Sequence, residues 1–364
     1  MTTILSIQSS VAYGHVGNSA AVFPLQRLGV EVWPVHTVHF SNHTGYGAWR
    51  GPLMAPEDVR EVVTGIEERG ALPEVDAVLS GYQGGEQIGD VILDAVARTK
   101  AANPSAIYAC DPVMGNAASG CFVHPAIPVL LREKVVPQAD LITPNQFELG
   151  FLTETEPGDL DSTLKSVERA RAMGPDTVLV TSVLRPDRPE GTIEMLAVHG
   201  DGAWIVQTPQ LPMKANGSGD VTAALFTAHL LQTGDAGLAL GRTVSSVFDL
   251  LTRTHESGRR ELQLVQSQDA IAHPRMKEKA EALKVGPSEQ PGVNLGPLIS
   301  AEHKQKVLSC YAKAVAEGAT VVTGGGVPDM PGALAEGPWV QPTIWTGLPE
   351  SASVIQEEIF GPCR

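Results

Sequence analysis

Short apolar runs rich in β-branched residues recur through the first half of the chain, each too short for a helix: residues 4–8, 32–38, 77–80, 106–110, 141–143 and 177–181. They are apolar throughout rather than alternating. Amphipathic stretches separate them, and residues 57–70 and 89–100 have the period of crossover helices. Strands of this kind belong to a mainly parallel central sheet with helices on both faces, because a sheet covered on both sides needs no polar face. An α/β fold is therefore predicted, and in such folds ligands sit beyond the carboxyl ends of the strands. Chemically unusual residues gather at those ends: Ser9 after the first run, Tyr82 after the third, Asp111 after the fourth, Asn145 and Glu148 after the fifth, Thr181 and Ser182 after the sixth.

Near residue 275 the pattern changes to a charged run, 276–284, followed by a Gly/Pro-rich stretch, 286–297. The 364 residues thus divide into a large α/β domain and an appendage. With 43% apolar and 18% charged residues both parts have material for a core. The net charge of -15 excludes a nucleic-acid or anionic-membrane surface, so any recognition of phosphate must be local. Cys110, Cys121, Cys310 and Cys363 have neither metal-site spacing nor the density of a disulfide framework, which fits a reducing cytoplasm. The first residues lack a leader pattern and no stretch approaches a membrane span, so a soluble, unexported protein is expected.

The chemistry concentrates in three short motifs. Gly217-Ser218-Gly219-Asp220 precedes a helical pattern ending at Gly234. Small residues let backbone approach an anion, and a helix beginning at Asp220 would aim free N–H groups at it. The aspartate is then placed to take a proton from a hydroxyl attacking a phosphoryl group held by those amides; read structurally, it is an N-terminal capping carboxylate. Asn145-Gln146-Phe147-Glu148 offers an amide and a carboxylate that can hold magnesium waters and phosphates, or a capping box at a helix start. Asp111-Pro112-Val113-Met114-Gly115 either supports a metal and triphosphate or is an Asp-Pro turn that stops a strand. His15 and His43 read as structural residues, since neither has metal-ligand spacing.

These motifs, with SSVAYGHVGN at 9–18, FSNHTGY at 40–46 and SGYQG at 80–84, resemble in content and order the pyridoxal kinases of the ribokinase-like superfamily over residues 1–275. The resemblance implies ATP-dependent phosphorylation of the 5′-hydroxyl of pyridoxal, with Mg2+, in a cytoplasmic homodimer. It implies that Ser9, Thr44 and Gly45 contact the pyridine ring beside Tyr82. Asp111, Thr143, Glu148 and Thr181 would lie at the nucleotide and metal site, the carboxylates Asp111 and Glu148 serving the metal. Thr208, Pro209, Gln210 and Leu211 would flank adenine, and Asp220 would be the base. Thr181 stands where some relatives carry lysine. A kinase of hydroxymethylpyrimidines, a kinase preferring pyridoxine, and a non-catalytic vitamin B6 binder are the competing readings. Cys121, ten residues past Asp111 beyond the small-residue stretch 115–120, could add its thiolate to the pyridoxal aldehyde as a hemithioacetal, or pack as a small hydrophobe.

Residues 276–364 resemble a fragment of an aldehyde dehydrogenase: NLGPLIS at 294–300, an amphipathic helix at 303–318, TGGG at 323–326, QPTIWTGL at 341–348 and EEIFGP at 357–362. The resemblance implies that Glu358 and Phe360 match cofactor-contacting positions. It also implies that the catalytic cysteine, the base and the dinucleotide-binding unit lie upstream, where this chain has its kinase-like part. An incomplete, inactive α/β appendage is expected.

Overall fold

The computed structural model describes the chain except residues 201, 275–284, 288–294, 347, 349–351, 357–358, 360 and 364. The charged run 276–284, Asn294, Glu358 and Phe360 lie outside the described residues. The chain forms two units, Met1–Pro274 and Arg275–Arg364.

The first unit opens with β1 (Thr3–Tyr13), whose first nine residues are all buried. Then come α1 (Asn18–Arg27), β2 (Glu31–Asn42), α2 (Pro56–Glu68), β3 (Ala77–Ser80), α3 (Glu86–Ala102) and β4 (Ile107–Cys110). A two-residue hairpin, β5 (Gly115–Asn116) and β6 (Gly120–Cys121), precedes α4 (Ala126–Leu130), β7 (Leu141–Ile142), α5 (Gln146–Thr153) and α6 (Leu160–Arg171). The unit closes with β8 (Thr177–Val183), β9 (Thr192–His199), β10 (Gly202–Pro209), α7 (Ser218–Thr233), α8 (Ala236–Glu256) and α9 (Gln268–Ala272).

Eight strands form one sheet in the order β10-β9-β8-β7-β4-β3-β1-β2. Pairing is parallel from β2 to β8, and the last two strands are antiparallel. The six apolar runs are six of these strands, and they are apolar on both sides because both faces are covered. Leu5, Ile7, Val78 and Val178 pack under Val59 and Val63 of α2, Ile92 of α3 and Val167 of α6. Their neighbours Ile4, Leu79, Ala109 and Leu179 pack against Leu25 of α1, Phe226 of α7 and Leu240 of α8 on the opposite face. This is the ribokinase-like α/β architecture that the motifs imply. Among the described residues no helix is long and apolar enough to cross a membrane.

Three boundaries differ from the sequence reading, and each difference sets up the site. Ser9 does not follow the first strand; it lies within β1, at a register shift against β2 between Gln8 and Ser10. Thr181 and Ser182 likewise lie within β8, at a shift between Val180 and Val183, with Ser182 at φ 55°. Such bulges re-aim side chains out of the ladder. The helix of the third motif starts at Ser218, because Gly217 takes the N-cap, so Asp220 is in the first turn rather than at its start.

In the second unit, α10 (Ala301–Ala316) is capped by Ser300, whose hydroxyl accepts from the His303 N–H at 3.0 Å. An antiparallel pair, β11 (Thr320–Thr323) and β12 (Ile344–Thr346), and the short α11 (Ser353–Gln356) complete it. Its core gathers Val307, Tyr311, Val340 and Trp345, with the Tyr311 and Trp345 rings edge to face at 5.5 Å.

Candidate active site

At the carboxyl ends of the parallel strands lies a cavity of about 580 Å3, continued by a second of about 320 Å3. They share Asn145, Thr181, Ala215 and Gly219, so together they form one elongated cleft.

Its acidic floor is built by α5 and the loops after β4 and β7. Asn145 and Glu148 form a capping box, the Asn145 side chain accepting from the Glu148 N–H at 3.0 Å and the Glu148 carboxylate from the Asn145 N–H at 2.9 Å. The same carboxylate also accepts from the N–H groups of Met114, at 3.0 Å, and Gly115, at 3.3 Å. One glutamate thus both caps a helix and pins the loop that carries Asp111. The Thr143 hydroxyl donates to Asp111 at 3.1 Å. Burial pushes Glu148 up to about 7 against those three amides. Burial, with the charges of Glu148 and Asp220, holds Asp111 well above the usual carboxylate range.

This crowding is the test of whether a divalent cation fits. No Lys or Arg is among the residues lining either cavity, so Glu148, raised by burial, and Asp111, raised by burial and by the charges of Glu148 and Asp220, have no cationic side chain beside them in that lining. Among the described residues no group of three His, Cys, Asp or Glu side chains is placed to grip a metal alone. A cation held by Asp111 and Glu148 through waters and by substrate phosphates matches the habit of magnesium.

Beside Asp111 stands the first turn of α7, where a Cβ on Gly219 would lie 4.0 Å from Asp111 Oδ2. Its leading N–H groups have no acceptor within the helix, and Gly217 provides no side-chain cap. Gly217 has φ 83°, and a Cβ there would lie 1.8 Å from the His15 carbonyl oxygen; only glycine allows this approach of α7 to the loop after β1. Asp220 is half-buried at the cavity wall. Burial pushes it up to about 6, against hydrogen bonds from the backbone of Gly17 and from its own N–H.

The first cavity brings together Ser9, Thr44, Gly45, Tyr82, Asp111, Thr143, Glu148, Thr181, Gly217, Gly219 and Asp220. The second brings Thr208, Pro209, Gln210 and Leu211 together with Ser218 and Thr181. Cys121 stands apart. Its thiol is exposed, and the lining takes Ser119 and Phe122 from either side of it instead. His15 does not line the cleft. His43 does, while its Nδ1 accepts from the Gly45 N–H at 3.0 Å and so shapes the 3-10 turn Thr44–Tyr46. Among the lining residues that the sequence did not single out are Asn216 and Glu194. Asn216 adjoins the glycine motif and was readable as its flank, whereas Glu194, buried and bound by Arg185 at 2.7 and 3.0 Å, had no local signal.

The sequence matches the family model described as phosphomethylpyrimidine kinase over residues 74–263. The pyridoxal kinase of Leifsonia xyli subsp. xyli is 78% identical over 272 residues, covering 75% of this chain and 96% of that protein. The chain belongs to the pyridoxal kinase family. The family's kinase from Corynebacterium diphtheriae is 63% identical over 280 residues, 77% of this chain and 99% of that one. Among solved structures, the pyridoxal kinase of Leishmania donovani in complex with ADP and pyridoxine aligns with TM-score 0.70 at 31% identity, over 75% of this chain and 96% of its own. Residues 263–364 match the aldehyde dehydrogenase family model, so that part of the chain is similar to a different family from the kinase part.

Proposed function

We propose that the chain transfers the γ-phosphoryl group of ATP to the 5′-hydroxyl of pyridoxal, giving pyridoxal 5′-phosphate and ADP. The observation that carries this is the convergence of Asp220, the Gly217, Ser218 and Gly219 turn, and the Asp111–Glu148 pair on one cleft whose far wall is Ser9, Thr44, Gly45 and Tyr82. Phosphoryl transfer asks little covalent chemistry of a protein, only positioning and electrostatic stabilisation. Asp220 accepts the proton of the attacking hydroxyl. The first-turn amides of α7 receive the negative charge of the moving phosphoryl group. Ser9, Thr44 and Tyr82 orient the pyridine ring, and Thr208, Pro209, Gln210 and Leu211 flank the adenine in the second cavity, with Thr143 and Thr181 along the phosphates. Asp111 and Glu148 are the residues that would hold Mg2+. When bound, that ion neutralises charge on the phosphates of ATP. The complexes of the Leishmania kinase with ADP and vitamin B6 forms support the same pair of ligands here.

The test is product formation with MgATP on pyridoxal, pyridoxine, pyridoxamine and a hydroxymethylpyrimidine. Turnover fastest on the pyrimidine would select the competing kinase reading, and binding without turnover the non-catalytic one. The reading includes a cytoplasmic homodimer, on family resemblance; a monomer mass by light scattering would remove the dimer. It also takes residues 276–364 as an aldehyde-dehydrogenase-like unit without activity of its own. NAD-dependent oxidation of an aldehyde by the intact chain would overturn that part.

A further inference from the structure

The walls that face the pyridine ring are made of backbone with little reason to hold still. The turn Thr44–Tyr46 leads into exposed chain with Gly47 at φ 85°, and the end of β1 runs into Gly14 at φ 92°. Glycine-rich, solvent-facing segments of this kind open locally at small cost. What fastens them comes from more than two hundred residues further along the chain.

Glu261, in the segment after α8, accepts the Tyr46 hydroxyl at 2.5 Å on Oε1 and the His15 backbone N–H at 3.0 Å on Oε2. Its neighbour Arg260 donates from Nη2 to the Gly45 carbonyl at 3.0 Å and lays its guanidinium over the Tyr46 ring, 3.8 Å from the centroid. The Tyr46 ring meets Tyr13 edge-on at 6.1 Å, so the two loops also touch each other. Gly14 suits this place, because its φ of 92° is one that side-chain-bearing residues rarely adopt and a Cβ there would displace the Glu261 carboxylate. The base of this catch is rigid where the loops are not: Leu262 and Leu264 are buried in the core with Val221 and Leu225 of α7, and the Gln263 N–H donates to the Thr254 hydroxyl at 3.1 Å. A carboxylate accepting two hydrogen bonds and a guanidinium stacked on an aromatic ring are among the stronger contacts available at a partly exposed place.

We propose that Glu261 and Arg260 are positioning residues for the vitamin substrate. They tie the turn that carries Thr44 and Gly45 to the end of β1 and hold both against α7, so the pyridine wall is formed before substrate arrives. Neither residue lines the cleft, so neither is a catalytic residue. The inference rests on the first cavity being the site of the vitamin. It predicts that losing the catch weakens the vitamin and spares the nucleotide and the chemistry.

The experiment is steady-state kinetics of the full chain with both substrates varied, alongside melting temperatures, for Glu261→Ala, Tyr46→Phe, their double variant and Arg260→Gln. Glu261→Ala should raise KM for pyridoxal by about tenfold, the scale of a charge-assisted hydrogen bond. KM for ATP and kcat should change by less than about twofold, as when only substrate binding is touched. Tyr46→Phe should reproduce part of the rise, and adding it to Glu261→Ala should raise KM little further, because the partner of the hydroxyl is already gone. Arg260 is exposed, so Arg260→Gln probes the second prong even if Glu261→Ala does not fold; it should raise KM for pyridoxal at an unchanged melting temperature. Equal rises in both KM values, a lowered melting temperature with normal KM, or additive effects in the double variant would each overturn the proposal. A parent chain that does not phosphorylate pyridoxal would instead remove the functional reading itself, and that is seen before any variant is made.

Discussion

Replacing Asp220 by asparagine keeps the shape of the α7 turn and removes one proton acceptor. Loss of a general base costs about 10²- to 10⁴-fold in kcat, which corresponds to roughly 3–5 kcal/mol of transition-state stabilisation. The pH profile gives the sharper test. Burial raises Asp220 to about 6, so the base form fills as pH rises through 6. In the parent enzyme kcat/KM should therefore rise about tenfold per pH unit below 6 and level off above it, the limb moving to lower pH where bound Mg2+ favours the carboxylate. Asp220→Asn should show no such limb in its residual activity, while a fluorescent ATP analogue binds within about threefold of the parent, as expected when only a transition-state interaction is lost. Stability should move the other way. Because the folded pKa lies above the ordinary value of 3.8, the native state holds this proton more tightly than the unfolded chain. Folding stability therefore falls as pH rises from about 4 to 6 and stays lower above that. The asparagine variant escapes the penalty and should melt a few degrees higher at pH 8 but not at pH 4. A kcat within tenfold of the parent, or an acid limb that survives the substitution, would refute the assignment.

Glu148→Gln cannot accept all three N–H groups that the carboxylate now holds, so the loop bearing Asp111 loosens; the half-saturating Mg2+ concentration should rise about 10- to 100-fold, read from activity titrations. Gly217→Ala forces a left-handed residue and a clash with the His15 carbonyl, and should destabilise the kinase unit by at least ~1 kcal/mol in urea unfolding and depress kcat. Cys121→Ser should affect pyridoxal and pyridoxine alike and slightly, because the thiol lies outside the lining; a loss confined to pyridoxal would establish the hemithioacetal.

The six parallel-sheet strands were legible because full burial makes them continuous apolar runs, a signal that is local. β9 and β10 were not: β10 is an edge strand whose residues are half-buried or exposed, so no apolar run marks it. α1 was missed for a related reason, being short, rich in small residues and interrupted by Pro24. The motif residues were legible because glycines, prolines and carboxylates cluster there. The bulges that aim Ser9 and Thr181 into the cleft were not, since a bulge exists only in the register between strands distant in sequence. Glu261 illustrates the limit most clearly. The two hydrogen-bond partners of its carboxylate, Tyr46 and His15, lie 215 and 246 residues away, and nothing in its own neighbourhood announces them.

That distance has a meaning for a chain still on the ribosome. At about 5–20 residues per second, roughly 10–40 s pass between synthesis of the turn at Tyr46 and of the carboxylate that secures it. Through that interval the sheet can grow strand by strand, yet the turn at Thr44–Tyr46 has nothing to close against. A nascent or prematurely released chain ending before Glu261 would own most of its fold and lack a firm pocket, so ligand capture reports that the kinase part has been made in full. The clasp itself, from Tyr13 to Leu264, lies wholly within the first unit, which runs to Pro274.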